Sequence, residues 1–148
     1  MPSKALLRPL DVAAAANHLG GITQPVEIDR EALLARRDEW VSHYDDHSQV
    51  EWAEGAGLTV VRGHGRISGE RRVEVTDDGG TTTLTARLAV VVATGSVPVV
   101  PDPYVAINPW TSREATAVTD VPGRLVIIGG GVGACEAAGW MRALGSEV

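Results

Sequence analysis

One cysteine, Cys135, occurs in 148 residues, which excludes an internal disulfide framework and makes a reducing, cytoplasmic setting the expectation. Long apolar runs are missing as well. Nothing approaches the ~18 uninterrupted apolar residues that cross a bilayer, so no membrane is expected as a partner. The opening residues 1–9 do not read as a signal peptide, because Arg8, Pro9 and Asp11 interrupt a short apolar stretch. Excess positive charge is absent: the formal net charge is −6, which argues against nucleic acid. The four histidines are scattered, with no Cys/His metal pattern. His43 and His47 stand one turn apart on a predicted helix, but no third ligand follows at useful spacing, so no metal site is expected. Aromatic residues amount to 4%. Trp40, Trp52, Trp110 and Trp140 are not spaced as a stacking platform and read as packing.

What is present is the composition of a globular chain, 44% hydrophobic and 22% charged, long enough for one ordinary domain with a core. Its organising stretch lies near the end. Residues 125–128, Leu-Val-Ile-Ile, form a short β-branched run suited to a buried parallel strand. Three glycines follow, and then an apolar, small-residue series over 134–144 that predicts a helix. The spacing Gly129-x-Gly131-x-x-Ala134 fits the dinucleotide fingerprint, with alanine at its last place. Gly129 permits the tight turn, Gly131 lets a pyrophosphate approach the backbone, and Ala134 lets helix and strand pack closely. The helix N-terminus then offers free N–H groups and partial positive charge to phosphates. Strand before and helix after are the context this pattern requires.

Upstream, Ser3 is a candidate N-cap, Pro9 is expected to end or kink that first turn, and a second helical stretch runs over about 11–19 before Gly20-Gly21. Asp29 is the predicted cap of the next helix. Leu33, Leu34, Trp40, Val41 and Tyr44 recur at helical spacing as its buried stripe, and residues 55–57 end it. Arg36-Arg37-Asp38-Glu39 reads as an exposed charge run. Residues 58–62 read as a strand punctuated by Gly63-His64-Gly65. Residues 73–76 and 82–85 flank Asp77-Asp78-Gly79-Gly80, a strong hairpin signal that assigns both aspartates to a turn. The apolar run 88–93 predicts a strand buried on both faces. Pro98, Pro101, Pro103 and Pro109 mark an extended connection. Residues 144–148 look like a helix end and the start of another strand.

Three segments together resemble the FAD- and pyridine-nucleotide-dependent disulfide reductases, the family of dihydrolipoamide dehydrogenase and mercuric reductase. Residues 1–4, Met-Pro-Ser-Lys, are similar to the segment after the second redox cysteine. Residues 90–98, Val-Val-Val-Ala-Thr-Gly-Ser-Val-Pro, look like the strand and turn that close the FAD domain. Residues 129–136, Gly-Gly-Gly-Val-Gly-Ala-Cys-Glu, are similar to the NAD(P)-binding turn. The resemblance implies an α/β fold of two Rossmann-like dinucleotide-binding domains, both incomplete. The rear of the FAD domain with a small antiparallel meander would take 1–100, an interdomain connection 101–122, and the first βα unit of the NAD(P) domain 123–148.

It also implies roles. Lys4 would lie near the flavin ring, and Glu136 would pair with it. Gly65 would meet the adenosine half of FAD, and Thr94, Gly95 and Ser96 would contact FAD where the chain leaves its domain. Gly129, Gly130, Gly131, Val132, Gly133 and Ala134 would carry the NAD(P)H pyrophosphate. Read from the residues alone, Lys4 is a solvated lysine and Glu136 a carboxylate near a helix start. Gly65 is then a turn glycine, and residues 94–96 are a polar turn. The departures are as informative. The FAD fingerprint and the Cys-x4-Cys redox pair of the family are absent, as are its interface domain and acid–base histidine. Cys135, in the nucleotide turn, reads as a small packed residue, so no catalytic residue is assigned. The chain therefore resembles the middle of a flavoprotein that passes electrons from NAD(P)H through FAD to a disulfide-type acceptor, dimeric when complete. Alone it is expected not to turn over, and its unpaired strand edges predict poor solubility. The alternative is a short non-catalytic nucleotide-binding or interaction protein.

Overall fold

The computed structural model describes residues 1–23 and 25–148. The chain forms two compact units, one of Met1–Asp45 with Pro98–Val148 and one of Asp46–Val97.

In the first unit, helix α1 (Pro2–His18) starts with proline inside its first turn and Met1 as its cap, not Ser3. It runs on through Pro9, where the sequence predicts a break. A proline forfeits one helical N–H bond, but Ala5 and Leu6 before it and Ala13 after it are all buried. That common packing holds both halves in one helix. Helix α2 (Arg30–Trp40) is capped as expected, the Asp29 carboxylate accepting from the Ala32 N–H at 3.0 Å. It ends at Trp40, earlier than the predicted stripe. Ser42, His43 and Tyr44 form a 3-10 turn with φ of +51°, +53° and +61°, a backbone no continuous helix allows. His43 thus lies in this turn and His47 opens the separate helix α3 (His47–Gly55), so they do not share a helix. The buried face of α2 is Leu33 with Arg37, while Trp40 and Tyr44 are exposed.

The chain returns through short helices α4 (Asp102–Val105) and α5 (Ser112–Thr116) to helix α6 (Val132–Leu144). Gly145 ends α6 in the left-handed region, φ +104°, where a residue without Cβ is favoured. The core gathers Leu6, Leu33, Val118, Ala137, Trp140, Met141 and Leu144. Each buried leucine, valine or methionine side chain among them contributes roughly 1.5–3 kcal/mol. Helix α1 packs on both α2 and α6. Before and after α6, Arg124 and Glu147 form a parallel bridge, with the Leu125 N–H donating to Glu147 O at 2.8 Å and the Glu147 N–H to Gly123 O at 2.9 Å. The strand start read at the C-terminal residues amounts to this single bridge, one helix away from its partner. The run 125–128 is covered on one face only. Leu125 and Ile127 pack on the core, and Val126 and Ile128 face solvent.

In the second unit, helix α3 (His47–Gly55) ends at the predicted glycines. A three-stranded antiparallel sheet follows, β1 (His64–Gly69), β2 (Arg72–Asp77) and β3 (Gly80–Thr85), in that order. The hairpin stands where the sequence places it, Asp77 pairing Gly80 across Asp78-Gly79. The Asp77 carboxylate accepts from the Gly79 N–H at 2.8 Å. Three predicted strands are not strands: residues 58–62, residues 88–93 and the run 125–128, beside which only the isolated Arg124–Glu147 bridge forms. Residues 58–62 and 88–93 have no ladder partner among the described residues, and Leu88 and Val91 are 89% and 85% exposed. An apolar run becomes a buried strand only when neighbours supply hydrogen bonds and cover both faces. The chain is thus a mixed helix and strand protein of the α/β kind with a small antiparallel meander.

Candidate functional site

The glycine turn lies between the half-covered segment 125–128 and α6. Gly129 has φ +116°, which only glycine adopts without strain. Gly131 is the N-cap of α6, with no side-chain cap and no acidic residue in the first turn. The leading N–H groups of α6 are therefore left to solvent or a ligand. A Cβ built at Gly130, Gly131 or Gly133 would meet nothing within 4 Å. Internal packing does not demand these glycines, and the space before the backbone is open, as approach by a diphosphate requires. A cavity of about 350 Å³ adjoins the turn, bordered by Val126, Gly129, Ala134, Cys135 and Ala138. Cys135 is exposed, its Sγ 3.7 Å from Gly130 O. The packed position expected for it is wrong, because it falls on the outward side of the first turn while Ala137 turns inward.

The second feature is an ion pair between helices. Lys4 on α1 donates from Nζ to Glu136 Oε1 on α6 at 3.0 Å, across 132 positions of sequence. Lys4 is the sole lysine among 13 basic residues. That bias toward arginine is a compositional signal that could have singled Lys4 out. The lysine is well exposed and the glutamate three-quarters covered, so the pair is partly open to solvent.

The other predicted site residues lie in the second unit. Gly65 is no turn residue: it pairs Val75 inside β1, where a Cβ would meet Val73 Cγ1 at an ordinary 3.8 Å. The position that demands glycine is Gly63, with φ +141° and a virtual Cβ 2.7 Å from Thr76 O. Thr94, Gly95 and Ser96 are exposed outside any regular element, with Gly95 turning at φ +69°. The Asp46 carboxyl is held below the usual aspartate range by hydrogen bonds from Arg62, 2.8 and 2.9 Å away.

Sequence reasoning missed two features. Arg37, read as exposed, is 1% exposed and donates from Nη1 to the carbonyls of Thr116 and Val118. Its neighbours Arg36 and Glu39 mask it, and only the i, i+4 spacing from Leu33 hints at its inward face. The second is a capping box at Thr111-Ser112-Arg113-Glu114. Thr111 Oγ1 accepts from the Arg113 N–H at 3.2 Å, and Glu114 Oε2 accepts from the Thr111 N–H at 2.7 Å. Hydrogen bonds from Thr111, side chain first and then backbone, keep the Glu114 carboxyl below the usual glutamate range. The Ser/Thr-x-x-Glu spacing was legible. Of the tryptophans, only Trp140 packs in the core; Trp40, Trp52 and Trp110 are exposed. Among the described residues no three His, Cys, Asp or Glu side chains cluster as a metal site, and no helix is long and apolar enough to cross a membrane.

An uncapped helix behind a glycine turn, with the chain after that helix returning parallel, marks an α/β protein carrying a turn of the dinucleotide-binding pattern. Its full length, residues 1–148, matches the pyridine nucleotide-disulphide oxidoreductase family. The chain belongs to that family, whose members use FAD and NAD(P)H. It is 34% identical to dihydrolipoyl dehydrogenase 3 of Pseudomonas aeruginosa, 33% to mercuric reductase of Streptomyces lividans and 30% to dihydrolipoyl dehydrogenase of Bacillus subtilis. Each match covers all of this chain and about a third of the relative, 33%, 32% and 33% in that order.

Proposed function

We propose that this chain is the central part of a flavoprotein oxidoreductase that moves electrons from NAD(P)H through FAD to a disulfide-type acceptor. The observation that carries the reading is the Lys4–Glu136 pair at 3.0 Å, the pairing that the family resemblance implies between the lysine near the flavin and the end of the NAD(P)-binding turn. In this reading residues 1–100 belong to a FAD-binding domain, 101–122 connect, and 123–148 open an NAD(P)-binding domain. Both domains are Rossmann-like.

When bound, the two cofactors supply hydride transfer and electron relay. The chain's own residues bind and tune. The turn 129–134 receives the NAD(P)H diphosphate on bare backbone N–H groups and the positive end of α6. Lys4 brings a cation toward the flavin, where it stabilises negative charge, and Glu136 holds that cation in place. Gly65, Thr94, Gly95 and Ser96 face FAD in the same reading. The fit is good at the NAD(P) turn, where open space fronts the glycines. It is partial for FAD, whose fingerprint is absent from the sequence. One cysteine cannot form a dithiol pair, so the chain alone does not turn over a disulfide. The relatives' names span lipoyl and mercuric acceptors, which leaves the acceptor at the level of a class.

The test is the intact mass of the native product, recovered from its source cells with an antibody to this segment. A product of the relatives' length supports the reading, and a product of 148 residues favours the non-catalytic binding protein. Rapid NADH oxidation with a disulfide acceptor by the purified 148-residue chain would overturn the inactivity.

A further inference from the structure

The connection over residues 115–122 carries no chemistry of its own, yet three side chains converge on its carbonyls. Arg37 of α2 donates from Nη1 to Thr116 O at 2.8 Å and to Val118 O at 2.9 Å. Trp140 of α6 donates from Nε1 to Ala115 O at 3.2 Å, and Ser146, just beyond α6, from Oγ to Pro122 O at 2.6 Å. Arg37, Trp140 and Ser146 are 1%, 2% and 6% exposed. A charge enters an interior only where hydrogen bonds replace its water, and here Nη1 serves both carbonyls while Nε meets Asp38, a spread of donors that a planar guanidinium has and a single ammonium lacks. The Asp38 carboxylate, 2.6 Å from Arg37 Nε, orients the guanidinium.

We propose that Arg37 is a positioning residue for the Lys4–Glu136 pair. Glu136 and Trp140 are four residues apart on α6 and so share a face. The indole N–H that ties α6 to Ala115 therefore sits one turn from the Glu136 carboxylate. Arg37 fixes the same connection from α2, and α1, which carries Lys4, packs on both α2 and α6. The chain of contacts closes on itself: α1, α2, Arg37, the connection, Trp140, α6 and Lys4–Glu136. A partly exposed pair of long side chains is otherwise loosely held. The consequence for electron transfer rests on the function proposed above; the positioning does not.

Lys4 is the sole lysine, so isotope-labelled lysine gives one side-chain NMR signal in the 148-residue chain. Glu136→Gln sets the signal of the unpaired amine. Arg37→Met is expected to move the Lys4 signal more than halfway to that position with helix content retained, and Arg37→Lys to restore part of the shift. Trp140→Phe, which keeps a ring and removes the N–H, moves it the same way by less. An unmoved signal in Arg37→Met and Trp140→Phe overturns the proposal, as does a signal blind to Glu136→Gln. If Arg37→Met does not fold, Trp140→Phe and Ser146→Ala decide by the same readout. Failure of the flavin reading looks different: electron transfer in the longer protein would ignore Glu136→Gln, while the Lys4 signal would still respond to Arg37.

Discussion

In the unit of Met1–Asp45 and Pro98–Val148, Leu6, Trp140, Met141 and Leu144 are closed off from solvent, whereas among the described residues of Asp46–Val97 only Val75 is buried. Apolar residues are not lacking in the second unit, where Leu58, Ile67, Leu88, Val91 and Val92 all face outward. The difference is in partners. Helix α1 packs on both α2 and α6, and their apolar faces share one core. The meander holds itself by ladder hydrogen bonds, but among its described residues Val75 alone is buried, and a sheet with so little covered surface is of marginal stability. Two apolar runs show the same contrast. Residues 125–128 have the parallel bridge beside them and helices beneath, so alternate side chains are covered. Residues 88–93 have no ladder partner among the described residues, and Leu88 and Val91 are exposed.

The largest expected effect breaks the first unit. Trp140→Ala leaves a cavity in the core and costs about 3–5 kcal/mol, read as a lowered urea midpoint. Equal loss from Val75→Ala would erase the contrast between the units. Next comes Arg37→Met, where each carbonyl left unpaired in the interior costs about 1–3 kcal/mol. Hydrogen exchange should then rise over residues 115–122 and not in the hairpin.

In the second unit, Gly63→Ala forces a side chain at φ +141°, against Thr76 O. It should cost about 1–3 kcal/mol and raise exchange at the β1–β2 pairs alone. The smallest effect concerns acid. Asp46 and Glu114 both have carboxyls lowered in the folded chain, by Arg62 and by Thr111. A lowered folded value means stability present above the unfolded value and lost as pH falls through the folded one. Carboxyl NMR titration should show both midpoints below the ordinary ranges, with Arg62→Met raising only Asp46 and Thr111→Ala raising only Glu114.

Much of the candidate site was legible because it is local. The glycine turn and the helix behind it were read from one short stretch, whereas the pairing of Lys4 with Glu136 came from the family resemblance and not from their local sequence; the structure joins the two at 3.0 Å. Arg37 was not legible. Whether an arginine in a charged run faces in or out depends on residues 79 and 81 positions away, and nothing within one turn announces them.

The sequence by itself determined what backbone geometry and near-neighbour hydrogen bonds decide. The Asp29 cap, the Asp78-Gly79 hairpin, the left-handed stop at Gly145 and the turn-helix order at Gly129 are such features. Only the tertiary structure decided which apolar runs are buried, that α1 continues through Pro9, and that a charged side chain occupies the interior. Capping and turn formation are completed within a few residues. Burial is a property of two surfaces, and the second is supplied from far along the chain or not at all.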